Sequence, residues 1–228
     1  MGVLLSVAGT APQQPTQAGV GASPVPLVYF DRHPGEEPPV SAVIIDDQLG
    51  GYQATQHLLA QGYQHIAHLS GPAHLPIYQQ RRRGYEQALR EAGRPRRPEL
   101  VLAGNLREAD GTAAIRQLLA LPAPPDAIFA AGDFAALGCL RELQAQGRRV
   151  PDDVGIIGFS NEFFTEVTVP ALSTVEQHCQ QLGQTATRLL LEVCAANASQ
   201  AVRHIVLRPN LLARASSTRK TAPAQVGS

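Results

Sequence analysis

The chain has 228 residues, of which 44% are apolar and 17% are charged. This balance is typical of a globular protein and excludes a largely disordered chain. The 19 basic and 19 acidic side chains cancel to a net charge of zero, so the chain as it stands has no excess positive charge with which to bind nucleic acid.

Cysteine usage and hydropathy predict a cytoplasmic protein. Cys139, Cys179 and Cys194 are odd in number and widely spaced, which fits neither a disulfide framework nor a zinc site. No apolar run approaches the roughly 18 residues of a membrane span, and the first residues lack the basic start and long apolar stretch of a signal peptide. We therefore expect no membrane partner.

Short β-branched runs alternate with longer helical patterns along the chain. The predicted strands are 3–7, 27–30, 42–45, 65–69, 100–102, 127–130 and 154–159. The predicted helices cover about 48–60, 78–92 and 179–193, and two more begin at Asp110 and Asp133. This order is typical of an α/β protein with a parallel sheet. Segments 11–26 and 33–39 are predicted to be connections, and the tail from 217 is predicted to be disordered.

Ligands of open parallel sheets bind outside the carboxyl ends of the strands, where helix N-termini also point. The polar residues that follow predicted strands are Asp31, Arg32, Asp46, Asp47, Ser70, Asp133, Ser160 and Asn161. Aspartate is also common as a helix N-cap, and we expect Asp47 and Asp110 to serve as caps only. Arg81 is predicted in the first turn of its helix, near the same edge, where its guanidinium can fork onto hydroxyls or a carboxylate.

Catalytic and cofactor motifs are weak. The run from Gly158 to Ser160 resembles the start of a G-x-S-x-G nucleophile elbow, but Glu162 stands where that motif has its last glycine. A serine hydrolase that uses Ser160 is therefore the least favoured of three hypotheses about function. His65 and His68 lie three apart on a predicted strand and face opposite sides, so they cannot share a metal. No glycine-rich nucleotide motif follows a strand, and neither a cofactor nor a metal is predicted.

Several blocks of sequence resemble the LacI/GalR family of bacterial transcriptional regulators, in family order and spacing from about residue 27 to 217. The blocks are Ile44-Ile45-Asp46-Asp47 with Gly50-Gly51, Gly71-Pro72, Arg81-x-x-Gly84-Tyr85-x-x-Ala88-Leu89, Gly132-Asp133, Val150-Pro151-Asp152-Asp153, Ile157-Gly158-Phe159 and Pro170-Ala171-Leu172-Ser173-Thr174-Val175.

The resemblance implies a periplasmic-binding-protein-like (type I) fold, with two doubly wound α/β lobes and an effector held between them. Residues 1–45 and 178–207 would form the N-terminal lobe, and residues 46–176 and 208–216 the C-terminal lobe. Family members begin with a helix-turn-helix headpiece and two further strand–helix units, whereas this sequence starts at a later strand. We therefore expect an incomplete first lobe, no headpiece, and no specific operator binding by this chain alone.

The resemblance also implies an effector site, by position, at nine residues. They are Asp31, Arg32, Leu75, Ile77, Arg81, Leu106, Asp133, Ser160 and Asn161. Two of them depart from the sugar-binding pattern: Ser160 stands in place of an aspartate, and Leu106 in place of an aromatic ring. These departures predict an effector with fewer hydroxyls than a hexose, or drift in a fragment that no longer functions.

The predicted function is the effector-binding and dimerisation core of a LacI-type regulator. It would be a non-enzymatic protein that binds a sugar or related metabolite, forms a homodimer in the intact family member, and contacts operator DNA only through the headpiece. A free-standing periplasmic-type sugar-binding protein is the alternative.

Overall fold

The computed structural model describes residues 2–7, 25–33, 40–195 and 202–219. Most of the predicted connections 11–26 and 33–39, and the predicted tail beyond 219, lie outside these ranges.

Ten strands and five α-helices make up the described residues. The strands are β1 (Val3–Leu5), β2 (Leu27–Phe30), β3 (Ala42–Ile45), β4 (Ile66–Ser70), β5 (Val101–Ala103), β6 (Ala127–Ala130), β7 (Gly155–Ile157), β8 (Thr174–Glu176), β9 (His204–Leu207) and β10 (Asn210–Leu212). The helices are α1 (Asp47–Ala60), α2 (Pro76–Glu91), α3 (Glu108–Leu119), α4 (Asp133–Ala145) and α5 (Cys179–Ala195).

The strands form two parallel sheets and one short antiparallel pair. The first sheet has the order β1-β2-β3-β9, and the second has the order β5-β4-β6-β7. Strands β8 and β10 pair antiparallel. Because the strands within each sheet run the same way, the residues that follow them gather at one edge of that sheet, as the sequence predicts.

Helices cover both faces of the second sheet. Ile115 of α3 and Leu140 of α4 pack with Leu69 and Ile128 on one face. Leu58 of α1 and Tyr85 of α2 share a second core with Phe129, and this core continues to α5 and the first sheet. The buried strands β4 and β6 therefore carry side chains with little contact with water on either side, as parallel sheets require.

Glycines bring paired helices into backbone contact. A Cβ atom on Gly51 of α1 would lie 2.1 Å from the Arg81 carbonyl oxygen of α2, and one on Gly84 of α2 would lie 2.1 Å from the Gln48 carbonyl oxygen. Gly111 of α3 and Gly138 of α4 have the same relationship, with Cβ distances of 2.0 Å to carbonyl oxygens of the partner helix. Any side chain at these positions would force the helices apart.

The structure departs from the sequence predictions in several places. Strands β8, β9 and β10 were not predicted. Asp110 is not the N-cap of α3: it is the third residue of the helix, and its Oδ2 accepts from the backbone N–H of Arg107. The predicted tail begins too early, because Ser217 is buried and its hydroxyl hydrogen-bonds with the Ser173 hydroxyl at 2.6 Å.

No helix within the described ranges is long and apolar enough to cross a membrane.

Candidate functional site

Strained backbone marks the loops after the strands. Five described non-glycine residues have positive φ: Asp31, Leu106, Ser160, Asn161 and His178. The first four are predicted site residues, and all five lie in segments that follow a strand, namely β2, β5, β7 or β8. Backbone strain of this kind persists only where the surrounding structure enforces it, and it concentrates at functional sites.

Arg81 is buried at this edge in a fixed orientation. It lies in the second turn of α2, one turn later than predicted, because the helix begins at Pro76. Its Nε donates to Asp47 Oδ1 at 2.7 Å, and its Nη1 donates to the Ala131 carbonyl oxygen at 2.8 Å. The guanidinium carbon lies 3.6 Å from the centre of the Phe159 ring. The protein thus holds one edge and one face of the guanidinium. Its Nη2 makes no hydrogen bond to any residue that the structure describes.

The prediction that Asp47 is only an N-cap is wrong. Asp46 caps α1, because its Oδ1 accepts from the Leu49 N–H at 2.8 Å. Asp47 is the first residue of the helix and is 6% exposed. Burial raises the pKa of its carboxyl to about 6, although the neighbouring Arg81 guanidinium acts to lower it. Asp47 therefore orients Arg81 and is itself held by it.

Asp133, a predicted site residue, is buried at the start of α4. It is the first residue of α4 after Gly132, and it is 1% exposed. Its Oδ1 accepts from the Thr174 hydroxyl at 2.8 Å, and its Oδ2 accepts from the Glu162 N–H at 2.9 Å. Burial raises the pKa of this carboxyl to about 6, while these hydrogen bonds act to lower it. The side chain thus fixes the loop after β7 and joins it to β8.

Ser160 and Asn161 are tied to the last residue of β8 and to the residue after it. The Gln177 amide donates to the Ser160 hydroxyl oxygen, and the Asn161 amide donates to the Glu176 carboxylate. An amide cannot accept a proton as a general base, and within the described chain no histidine hydrogen-bonds with Ser160. The geometry of Ser160 therefore gives the hydrolase hypothesis no support.

Asp31 and Arg32 directly follow β2 of the first sheet. Arg32 Nε lies 3.6 Å from Asp31 Oδ2, and about a third of each side chain is exposed. Burial raises the pKa of the Cys179 thiol, and the charges of Glu176, Asp31 and Glu162 add to this shift. The place of Asp31 and Arg32 in the effector site stays a prediction.

The apolar site candidates Leu75, Ile77 and Leu106 belong to one hydrophobic core. Leu75 precedes Pro76, and both Leu75 and Ile77 are buried at the start of α2. Leu106 lies in the loop between β5 and α3 and is 9% exposed. A Cβ atom on Gly132 would lie 3.4 Å from its side chain, so Leu106 packs against the entry to α4.

His65 lies just before β4 and not on the predicted strand, whereas His68 lies within β4. His68 is fully buried and stacks between the rings of Tyr85 and Phe129, whereas His65 is exposed. In the described ranges no group of three or more histidine, cysteine, aspartate or glutamate side chains is arranged to hold a metal.

Sequence reasoning missed three residues of this region: Glu176, Gln177 and Arg214. Arg214 donates to the carbonyl oxygen of Leu172 at 2.9 Å and to Asn161 Oδ1 at 3.0 Å. Glu176 and Gln177 adjoin β8, a three-residue strand that shows no clear period. Their only signal was their position directly after the block from Pro170 to Val175.

Comparisons with known proteins agree with this architecture. Residues 55–217 match the family model described as periplasmic binding protein-like domain. The chain is 38% identical over 206 residues to the HTH-type transcriptional regulator CelR of Thermobifida fusca, covering 90% of this chain and 59% of that protein. It is 38% identical over 150 residues to the HTH-type transcriptional repressor CytR of Escherichia coli K12, covering 66% of this chain and 44% of the repressor. The chain thus spans about half the length of the curated relatives it matches.

Solved structures show the same likeness. A transcriptional regulator CelR–cellobiose complex superposes with a TM-score of 0.86 at 36% identity, covering 94% of this chain and 65% of that one. The transcription regulator CcpA of Lactococcus lactis superposes with a TM-score of 0.85 at 27% identity, covering 95% and 78%. The family model covers well over half of the chain. The chain therefore belongs to the periplasmic-binding-protein-like domain family, in the form found in LacI-type transcriptional regulators.

Proposed function

We propose that this chain is the effector-binding part of a LacI-type transcriptional regulator and takes a sugar or related metabolite between two lobes. The lobes are residues 1–45 with 178–207 and residues 46–176 with 208–216. The sheets support this division, because β1, β2, β3 and β9 pair in one sheet while β4 to β7 pair in the other. That a relative with 36% identity is a cellobiose complex supports a carbohydrate-like effector.

The observation that carries the proposal is the fixed guanidinium of Arg81. Asp47 and Ala131 hold two of its nitrogens, and Phe159 supports its face. A guanidinium oriented before the ligand arrives loses little side-chain freedom on binding and can donate to a hydroxyl or carboxylate through Nη2. The other proposed contacts are Asp31, Arg32, Leu75, Ile77, Leu106, Asp133, Ser160 and Asn161.

Two of these contacts bear on the class of effector. Ser160 offers a neutral hydroxyl that already accepts from Gln177, and Leu106 offers an aliphatic surface. A charged acceptor for paired hydroxyls and a ring for stacking on a sugar face are both missing at these two positions. We infer an effector with fewer hydroxyls than a hexose.

Calorimetric titration of the chain tests the proposal, after a thermal-shift screen of cellobiose, monosaccharides and related metabolites. We expect at least one compound to raise the melting temperature and to bind saturably. Arg81→Ala should abolish that binding. Arg82→Ala is the matched control, because Arg82 is the next residue of α2, is half-buried, and pairs with Glu86 of the same helix. Unchanged affinity in Arg81→Ala would remove Arg81 from the site, and a screen without any ligand would contradict effector binding.

The remaining parts of the proposal concern the cellular setting. The chain acts in the cytoplasm as a binding protein and not as an enzyme, and two copies associate in the whole regulator. Operator DNA is contacted by a headpiece outside these 228 residues. A gel-shift assay with the isolated chain should therefore show no operator-specific complex, and a specific complex would overturn this assignment.

A further inference from the structure

A cavity of about 140 Å³ lies beside the proposed effector site, between the ends of β4 and β5 and helix α3. Its buried walls are Leu69, Leu106, Ala114 and Ala135. Its opening is bordered by exposed residues of β5 and α3. Leu106 is shared with the proposed effector site, whereas none of the charged residues proposed to bind the effector lines this space.

Small residues create the space. Helix α3 presents Ala113 and Ala114 to the cavity, and the end of β5 contributes Ala103 and Gly104. A leucine at any of the alanine positions would occupy much of the volume. Apolar cavities of about 150 Å³ hold a benzene molecule. The cavity therefore suits a six-membered ring.

Ser70, Asp110 and Gln117 add polar groups to the lining, and Asp110 has an acceptor with spare capacity. Asp110 Oδ2 accepts from the backbone N–H groups of Asn105 and Arg107, at 3.1 and 2.9 Å. Among the described residues nothing donates to its Oδ1. A hydroxyl on a ring in the cavity would supply that donor.

We propose that this cavity is a second small-molecule site, which takes a compact apolar ring bearing one hydroxyl group. Phenol has this chemistry and serves as the probe. It would place its ring against Leu69, Leu106 and Ala114 and donate its hydroxyl to Asp110. Because Leu106 also packs against Gly132, occupancy of the cavity would press on the residue that leads into Asp133.

Saturation-transfer NMR of phenol with the full chain tests this inference. We expect saturable binding, and weaker binding of toluene by about tenfold because it lacks the hydroxyl donor. Ala114→Leu should abolish phenol binding by filling the cavity. Ala113→Leu does the same at an exposed position, where a failure to fold is not expected. Ala109→Leu is the matched control on an exposed part of α3 that does not line the cavity.

The outcomes separate this inference from the proposed effector site. Loss of phenol binding in Ala113→Leu and Ala114→Leu, with retention in Ala109→Leu and with unchanged effector affinity in Ala113→Leu, supports a separate cavity site. Absence of saturable binding to the unaltered chain would overturn it. Equal binding to all variants would also overturn it, since the phenol would then lie elsewhere.

Discussion

Arg81 and Asp47 form an ion pair across the contact between α1 and α2. Arg81 Nε donates to Asp47 Oδ1 at 2.7 Å, and the two side chains are 4% and 6% exposed. Each charge has been removed from water, so each depends on the other. The pair fixes the guanidinium that carries the proposed function, and it links the end of the first sheet with the second.

Breaking this pair should destabilise the fold. Arg81→Ala leaves a buried carboxyl unpaired, and we expect a loss of about 3–5 kcal/mol in the free energy of unfolding. Replacing both residues with apolar ones, as in Asp47→Leu with Arg81→Met, should cost less than Arg81→Ala alone. Urea unfolding measures both values. A double variant as unstable as the sum of its single variants would contradict the coupling.

His68 should make the fold sensitive to acid. Burial is the main cause that lowers the pKa of its imidazole to about 3, whereas an unfolded histidine has a pKa of about 6.5. Between these values the unfolded chain binds more protons, so stability falls as pH is lowered through that range. From pH 7 to pH 5 this group alone should remove about 2 kcal/mol.

Comparing the pH dependence of the unfolding free energy in two variants separates the contribution of His68. This comparison is needed because Asp47 and Asp133 have raised pKa values, which change stability with the opposite sign. His68→Phe keeps the ring between Tyr85 and Phe129 and removes the titration. From pH 7 to pH 5, the change in its urea unfolding free energy should be about 2 kcal/mol more positive than the change in the unaltered chain. The exposed control His65→Gln should follow the unaltered chain. An identical acid dependence for His68→Phe would show that His68 is not the group responsible.

Gly51→Ala should disturb both stability and the proposed binding. The added methyl group would lie 2.1 Å from the Arg81 carbonyl oxygen, which is main chain and cannot rotate away. We expect a cost of about 1–3 kcal/mol and a weaker effector affinity, because α2 must shift with Arg81 on it. Gly183→Ala is the control: it lies inside α5, meets no atom within 4 Å, and should stabilise the helix by about 0.5–1 kcal/mol. Thermal unfolding compares the two.

Arg214 should stabilise the loop that carries Asn161. Its guanidinium donates to the Thr165 hydroxyl, the Leu172 carbonyl, Asn161 Oδ1 and the Glu166 carboxylate. A lysine ammonium cannot reach four acceptors in this planar arrangement, so Arg214→Lys should cost about 2 kcal/mol or more in thermal unfolding. Glu166→Gln alters only the exposed end of the network and should change stability by less than about 1 kcal/mol. Equal effects would mean that the buried contacts add nothing.

Periodicity was enough to predict the long helices and buried strands. Strands β2, β3 and β6 have the predicted bounds, and α5 begins at the predicted Cys179. These elements are apolar over several consecutive or helically spaced positions, and local pattern alone reports such burial. Strands β8, β9 and β10 have only three or four residues each, and β9 and β10 are largely exposed, so no pattern separates them from loops.

The candidate site was less predictable. The sequence correctly directs attention to the ends of parallel strands, where Asp31, Asp133 and Ser160 lie. It could not show that Asp133 bonds to Thr174, 41 residues away, or that Asp47 and not Asp46 pairs with Arg81. Those partners are set by tertiary packing. An aspartate before a helix has the same local sequence whether it caps the helix, binds a ligand or pairs with a distant side chain.

The reciprocal glycine contacts of α1 with α2 and of α3 with α4 have a mechanical consequence. In each pair the carbonyl oxygen of one helix sits where the other has no side chain. If one helix slid along its neighbour by a turn, that oxygen would collide with the Cβ atom of a residue about one turn away from the glycine. Each pair of helices therefore packs in one register only and must move as a unit. In the proposed two-lobe arrangement, closure would be taken up where the chain passes between the lobes: at Asp46, around Gln177 and His178, and at 208–209.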